Sequence, residues 1–383
     1  MFKSIVNIRK AVFAYTLVLA VMLLQTPVYG LGTTCALVTM SLSLLCIIFA
    51  RNGGLSLPKS ANPLLVFTAY FFLQTVLSPY SSFNDSTKFI AQALLTCYLF
   101  KVCINEYEHR YLIYSFEFVI SVWAVLIIKS CLDAGPARLI HASIELFGSE
   151  IDPNYIGIPL VTATILLMND ILSVSNKKIL VFLILGYFLN TIAIVETSSR
   201  GNLLSFAVGN ALVVVSFLRN TKKSFKKYLV FTIVAVGFVY SLKYLNTLFE
   251  DNFARMTEID SESGGRLELW KYSIQLWTKD VFTIFFGNGF GAVANMGSAS
   301  LCSHNTYLQL LSETGLVGFM LYAAFIWPML KRSYSYDKTM GICMAVMLFQ
   351  IFFLNAIDNR CVWGFLGWVA MLPSNTIYKT KNI

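Results

Sequence analysis

Charge is scarce in this chain. Asp, Glu, Lys and Arg supply 13% of its 383 residues, about half the ~25% of an ordinary soluble domain. That excludes a disordered chain and argues against a cytosolic enzyme. Histidine is scarcer still, with only His109, His141 and His304, too few for a His-rich metal site. The eight cysteines form no CxxC pair. Most lie in apolar runs, so they read as small buried hydrophobes rather than a disulfide scaffold or redox motif. Neither a Walker motif nor an Asp-x-Asp nucleotide-sugar motif occurs. The net charge is +9, but no basic stripe is interleaved with exposed aromatics, so nucleic acid is not an expected partner. We therefore expect no cofactor and no metal.

What the chain has in excess is apolar sequence, 57% of its residues. A helix crosses a bilayer in about 20 apolar residues. Twelve such spans can be drawn, at approximately 11–28, 31–50, 62–78, 86–104, 111–130, 153–169, 178–195, 200–218, 227–246, 303–328, 339–356 and 360–377. No A-x-A cleavage site follows the first, which reads as a retained helix. With the N-terminus in the cytoplasm, the inner segments hold 19 of the 29 basic residues and four acidic ones, a net of +15. The outer face holds 10 basic and 15 acidic residues, a net of −5, and Glu117 lies inside a span. This division follows the positive-inside rule and puts both termini in the cytoplasm. The expected fold class is an all-α integral membrane protein of about twelve transmembrane helices.

Two outer segments are long, 131–152 and 247–302. The second divides the chain into 1–246 with nine spans, the loop 247–302, and 303–383 with three spans and a cytoplasmic tail. Long loops in compact proteins are usually functional, which directs the chemistry to the outer face. ATP and nucleotide sugars are absent there, so a substrate must arrive activated. Within the loop, residues 266–279 predict a helix, with Leu267, Trp270, Ile274 and Trp277 on one stripe. Two Trp on that face suit a helix lying in the outer membrane interface or one packed on neighbouring spans. Gly287-Asn288-Gly289-Phe290-Gly291 reads as a flexible turn.

Three residues on this face can carry chemistry. Arg200 opens the eighth span, Arg266 starts the loop helix, and His304 stands at the outer end of the tenth span. The eighth and tenth spans both run inward, so both helix N-termini point outward. A helix N-terminus offers unpaired N–H groups and a partial positive charge, which suit an anion. Arginine adds a permanent charge and a bidentate fork. A histidine beside a helix N-terminus favours its neutral form, which is what a base requires. His109 and His141 receive no role. His304, Leu308, Leu311, Gly315 and Gly318 fall on one helical face, whose glycines allow close approach of another helix.

These residues resemble a family signature. His304-Asn305 followed by Gly315 and Gly318 is similar to the motif of the O-antigen ligase and O-antigen polymerase superfamily, and Arg200 followed by Leu204 is similar to its preceding Arg-x3-Leu element. Asp152-Pro153-Asn154-Tyr155 resembles a stretch of the polymerase branch, as does Gly264-Gly265-Arg266-x3-Trp270. The first of these is also what a helix start needs, Asp as N-cap and Pro at N1. The resemblance implies a GT-C-like fold in the bacterial inner membrane, and inverting, metal-independent glycosyl transfer at the periplasmic face. The implied donor is a polyprenyl-diphosphate-linked oligosaccharide. Arg200 and Arg266 would hold the diphosphate, and His304 would take the proton from the acceptor hydroxyl. Asn154, Tyr155 and Asn305 are implied substrate contacts. Implied partners are membrane lipids and a chain-length regulator protein. The intramembrane acids Glu313 and Glu117 are further candidates. A ligase that moves glycan onto lipid A core is the alternative. A transporter of lipid-linked sugars is a more distant one, since the chain has no internal repeat.

Overall fold

The computed structural model describes residues 8–24, 32–50, 56–81, 83–134, 144–146, 149–197, 199–220, 263–296 and 303–373. Eleven of the twelve expected spans fall on helices. They are α1 (Lys10–Leu24), α2 (Gly32–Ala50), α3 (Asn62–Leu77), α4 (Phe83–Leu99), α5 (Glu106–Ala134), α6 (Pro153–Ser173), α7 (Lys177–Glu196) and α8 (Arg200–Asn220), then α12 (Thr306–Tyr336), α13 (Lys338–Gln350) and α14 (Arg360–Met371). The ninth expected span, 227–246, lies outside the described residues, as do His141 and residues 247–262 and 297–302 of the long loop. The rest of that loop forms α9 (Ser263–Trp277), α10 (Val281–Phe286) and α11 (Ala292–Met296). Six of the described helical segments are long and apolar enough to cross a membrane: Lys59–Leu77, Glu106–Asp133, Pro153–Ser173, Lys177–Glu196, Arg200–Arg219 and Thr306–Tyr336. The protein is a helical membrane protein. One departure from the all-helical expectation is a short antiparallel hairpin, β1 (Ile144–Leu146) with β2 (Ser149–Ile151), between α5 and α6.

The chain divides into two compact units, residues 117–261 and the remainder, so the boundary falls inside α5. This grouping follows contacts and cuts across the three sequence segments: α9 to α11 of the long loop belong with both chain ends.

In the larger unit α12 packs against α3, α9, α10, α13 and α14. Its interior is aromatic. Phe71 stacks on Phe89 with centroids 3.9 Å apart, Phe290 lies 4.3 Å from Phe71, and Phe325 stacks on Trp363. In lipid, helix association rests on van der Waals packing rather than on removal of surface from water, and such ring pairs add about 0.5–1.5 kcal/mol each. Phe290, from the glycine-rich loop, is 3% exposed within this cluster. That burial gives the glycine-rich loop an apolar anchor.

The unit has two polar ends. At one, Arg9 pairs with Glu108 at 2.5 Å, His109 Nε2 lies 3.3 Å from Asp337, and Arg332 donates to the Leu372 carbonyl at 2.6 Å. At the other, Gln92 donates to the Asp358 carbonyl and the Thr306 hydroxyl to the Leu354 carbonyl. In the smaller unit α6 packs against α7 and α8. Asn190, fully buried, donates to Ser121 Oγ at 3.0 Å and to the Gly186 carbonyl at 2.8 Å.

Candidate active site

His304 is not the first residue of a helix. α12 starts at Thr306, and Asn305 is its N-cap, its side-chain oxygen accepting from the N–H groups of Tyr307 and Leu308. His304 sits just before the cap with φ 47°, and it is the one non-glycine residue with positive φ among the described residues. That region is sparsely populated for side chains with a Cβ and persists only where neighbours enforce it. They do so here. Ser303 Oγ donates to the Asn305 carbonyl at 2.9 Å, bridging the turn. Trp270 Nε1 donates to the Ser303 carbonyl at 3.0 Å. Ser303 and Asn305 are buried, and His304 is half-buried between them.

The expected face from His304 through Leu308, Leu311, Gly315 and Gly318 is interrupted twice. His304 precedes the helix, and Gly315 has φ 65° and ψ −172°, which breaks α12. Gly315 is therefore a hinge in the backbone and not only a packing residue. A break of this kind orphans the carbonyls that the next turn would have bonded, and inside a membrane those groups must find partners in the protein. They find three. The Ser312 carbonyl accepts from the Asn288 N–H at 3.0 Å and from its Nδ2 at 2.9 Å. The Glu313 carbonyl accepts from the Gly289 N–H at 2.8 Å, and the Thr314 carbonyl from Tyr70 Oη at 2.8 Å. The Phe286 carbonyl, at the end of α10, accepts from Gln74 Nε2 at 2.7 Å. The two backbones touch so closely that a Cβ on Gly315 would stand 2.4 Å from the Phe285 carbonyl, and one on Gly287 would stand 2.3 Å from the Glu313 oxygen. The Glu313 side chain, 1% exposed, accepts from the Gly291 and Val293 N–H groups and from Gln309 Nε2 at 3.1 Å. Counting back about 20 residues of helix from Lys331, a bilayer's thickness, reaches Leu311.

The loop helix differs in two respects from its expected placement. α9 begins at Ser263, so Arg266 lies in its first turn. Both tryptophans bond to the protein, Trp277 Nε1 donating to the Ile284 carbonyl at 3.0 Å. The apolar surface that the loop leaves open is on α10 instead, where Val281 and Phe282 are 71% and 67% exposed. α9 itself packs against α12 and α10.

Arg200 belongs to the smaller unit, at the start of α8, with its side chain exposed. Ser199 caps the helix, its Oγ accepting from the Asn202 N–H at 3.4 Å. Two sequence motifs meet at this point. Ser199 Oγ donates to Asn154 Oδ1 at 2.7 Å, and Asn202 Nδ2 donates to the Pro153 carbonyl at 3.1 Å. Asn154 Nδ2 in turn donates to Asp152 Oδ1 at 2.9 Å. Both polar atoms of the Asn154 amide are thus engaged within the protein. Asp152 is also the N-cap of α6, as its position before Pro153 predicts. Tyr155 follows in the first turn of α6, half-buried. Glu196, at the end of α7, is 5% exposed.

The sequence did not single out Tyr70, Gln74, Ser78 or Asn288. The first three recur every four residues through an otherwise apolar helix, so a polar stripe was the available signal. Among the described residues no group of His, Cys, Asp and Glu is arranged to hold a metal ion.

The fold and this site define a helical membrane protein built around a broken helix, headed by a histidine in a constrained turn. Residues 183–323 match the family model described as O-antigen ligase. The match spans 141 of the 383 residues and supports a likeness of that stretch to the O-antigen ligase/O-antigen polymerase superfamily. A comparison with curated proteins returned no match.

Proposed function

We propose that this protein is an O-antigen polymerase. It joins polyprenyl-diphosphate-linked repeat units at the periplasmic face of the bacterial inner membrane, with a GT-C-like fold and both termini in the cytoplasm. The observation that carries the reading is that Arg200, Arg266 and His304 all fall within the matched stretch 183–323. The donor sugar leaves a diphosphate, so the bond that breaks is the sugar C1–O bond to phosphate. The acceptor hydroxyl attacks C1 from the opposite face, which inverts the anomeric centre.

His304 takes the acceptor's proton as the new C–O bond forms, a role worth about 10²–10⁴ in rate. Arg200 and Arg266 hold the diphosphate and stabilise the charge that develops on it. Two anionic phosphates balanced by two guanidinium groups need no metal. Asn154 acts through the Arg200 turn, because its amide already bonds Ser199 and Asp152. Asn305 likewise serves the His304 turn through its cap. Tyr155 contributes a substrate contact beside the Arg200 turn. The donor reaches the site from the lipid, and a chain-length regulator is the expected protein partner.

The family description itself favours a second reading, a ligase that transfers the glycan to lipid A core. Deletion followed by gel analysis of lipopolysaccharide separates the two. A polymerase deletion leaves core capped with one repeat. A ligase deletion leaves bare core and lipid-linked polymer, which would overturn the polymerase assignment.

A further inference from the structure

We propose that Trp270 is a positioning residue for the transfer reaction, setting the His304 turn against the helix that carries Arg266. The inference rests on the reading of His304 as general base. Arg266 and Trp270 are four residues apart on α9, one helical turn. The Trp270 indole N–H donates to the Ser303 carbonyl at 3.0 Å, and Ser303 is the residue before His304. One hydrogen bond therefore joins the helix of the diphosphate-binding arginine to the backbone that aims the base.

Both sides of this link are fixed. The Trp270 ring meets Phe352 edge-on, with centroids 5.6 Å apart, in the short 3-10 turn after α13. Phe352 in turn lies 6.4 Å from Tyr307, whose hydroxyl donates to the Leu348 carbonyl at 2.7 Å. On the other side Ser303 is fully buried, and its hydroxyl bridges to the Asn305 carbonyl. His304 is in a left-handed conformation, which is uncommon for a side chain with a Cβ and relaxes when its constraints are removed. The peptide plane that carries the Ser303 carbonyl also carries the His304 N–H. Fixing that oxygen thus fixes the φ axis about which the His304 side chain swings. The Trp270 N–H does not reach a substrate atom in this scheme. It acts through Ser303 and His304.

The test replaces the N–H and keeps the ring. Trp270→Phe removes the donor and retains an aromatic face for Phe352. A second variant carries β-(3-benzothienyl)alanine at position 270, with the bicyclic shape of tryptophan and sulfur in place of N–H. This variant keeps the fold even where the smaller ring does not. Donor affinity and single-turnover rate are measured on the full-length protein in lipid, with a purified polyprenyl-diphosphate-linked repeat, beside His304→Ala. Both variants are expected to slow single turnover about tenfold. That lies between the loss of one neutral hydrogen bond and the ~10² of a 1 Å misplacement. Donor affinity is expected to stay within about twofold, because the base acts on the acceptor. Wild-type turnover in the benzothienyl variant overturns the proposal, as does a loss of donor affinity that matches the loss of rate. Failure of the underlying reading looks different. His304→Ala then turns over at the wild-type rate, whatever the Trp270 variants do.

Discussion

The two polar ends of the larger unit are held together by different chemistry. At one end Arg9 pairs with Glu108, and His109 Nε2 lies against Asp337. At the other, backbone carbonyls freed by the break at Gly315 are capped by Asn288, Gly289 and Tyr70. The first arrangement closes a surface and leaves little charge to offer a ligand. The second fixes a loop and a turn in place with neutral donors, Asn288, Gly289 and Tyr70. A site that must take up an anionic diphosphate and release it again suits neutral bracing with charge supplied by a few arginines. The difference teaches that the two ends are built differently, and under the proposed function the left-handed turn and the broken helix are where chemistry would act.

This contrast can be broken from either side. The largest effect is expected from His304→Ala, which should lower single-turnover transfer by about 10²–10⁴ while the protein still inserts and accumulates. Arg200→Lys keeps the charge but loses the bidentate fork, and Arg266→Ala removes a diphosphate contact. Each should slow transfer by about 10²–10³, with weaker donor binding for Arg266→Ala, measured by the same assay with titrated donor. Gly315→Ala acts on the brace itself. It forces a Cβ to within 2.4 Å of the Phe285 carbonyl at φ 65°, so a loss of about 2–3 kcal/mol in stability is expected. A fall in thermal midpoint and in accumulation would show it; normal values would mean the break has no structural role. At the charged end Glu108→Gln should cost about 1 kcal/mol or less, because Arg9 is 48% exposed and rehydrates. Its transfer rate should match wild type, and a slowed rate would erase the distinction between the ends. The smallest expected effect is none: EDTA should leave turnover unchanged, and a loss restored by a divalent ion would show that a metal holds the diphosphate.

Hydropathy made the helices legible, because most described spans are long apolar runs. Asp152 before Pro153 announces the start of α6 in the sequence itself. The site was legible only as a set of residue types. Arg200, Arg266 and His304 could be picked out by their place at the ends of segments that the charge distribution assigns to the outer face. The turn that holds His304 could not, because its constraint comes from Trp270, 33 residues away. The same is true of the break in α12. Gly315 reads as a packing glycine until the donors to its neighbours are known, and one of these, Tyr70, is 244 residues from Thr314. Trp270 and Trp277 left two placements open, because periodicity reveals a stripe but not what the stripe faces. The exposed apolar surface of α10 escaped notice because six residues are too few to show a period.

The decisive measurement is lipid-donor affinity beside single-turnover transfer in His304→Ala, on protein shown to insert normally. A base that acts on the acceptor predicts donor affinity within about twofold of wild type, with transfer reduced by at least about 10². Wild-type transfer in that variant would contradict the assignment of His304, and the next residues to test as the base would be Glu196 and Glu313.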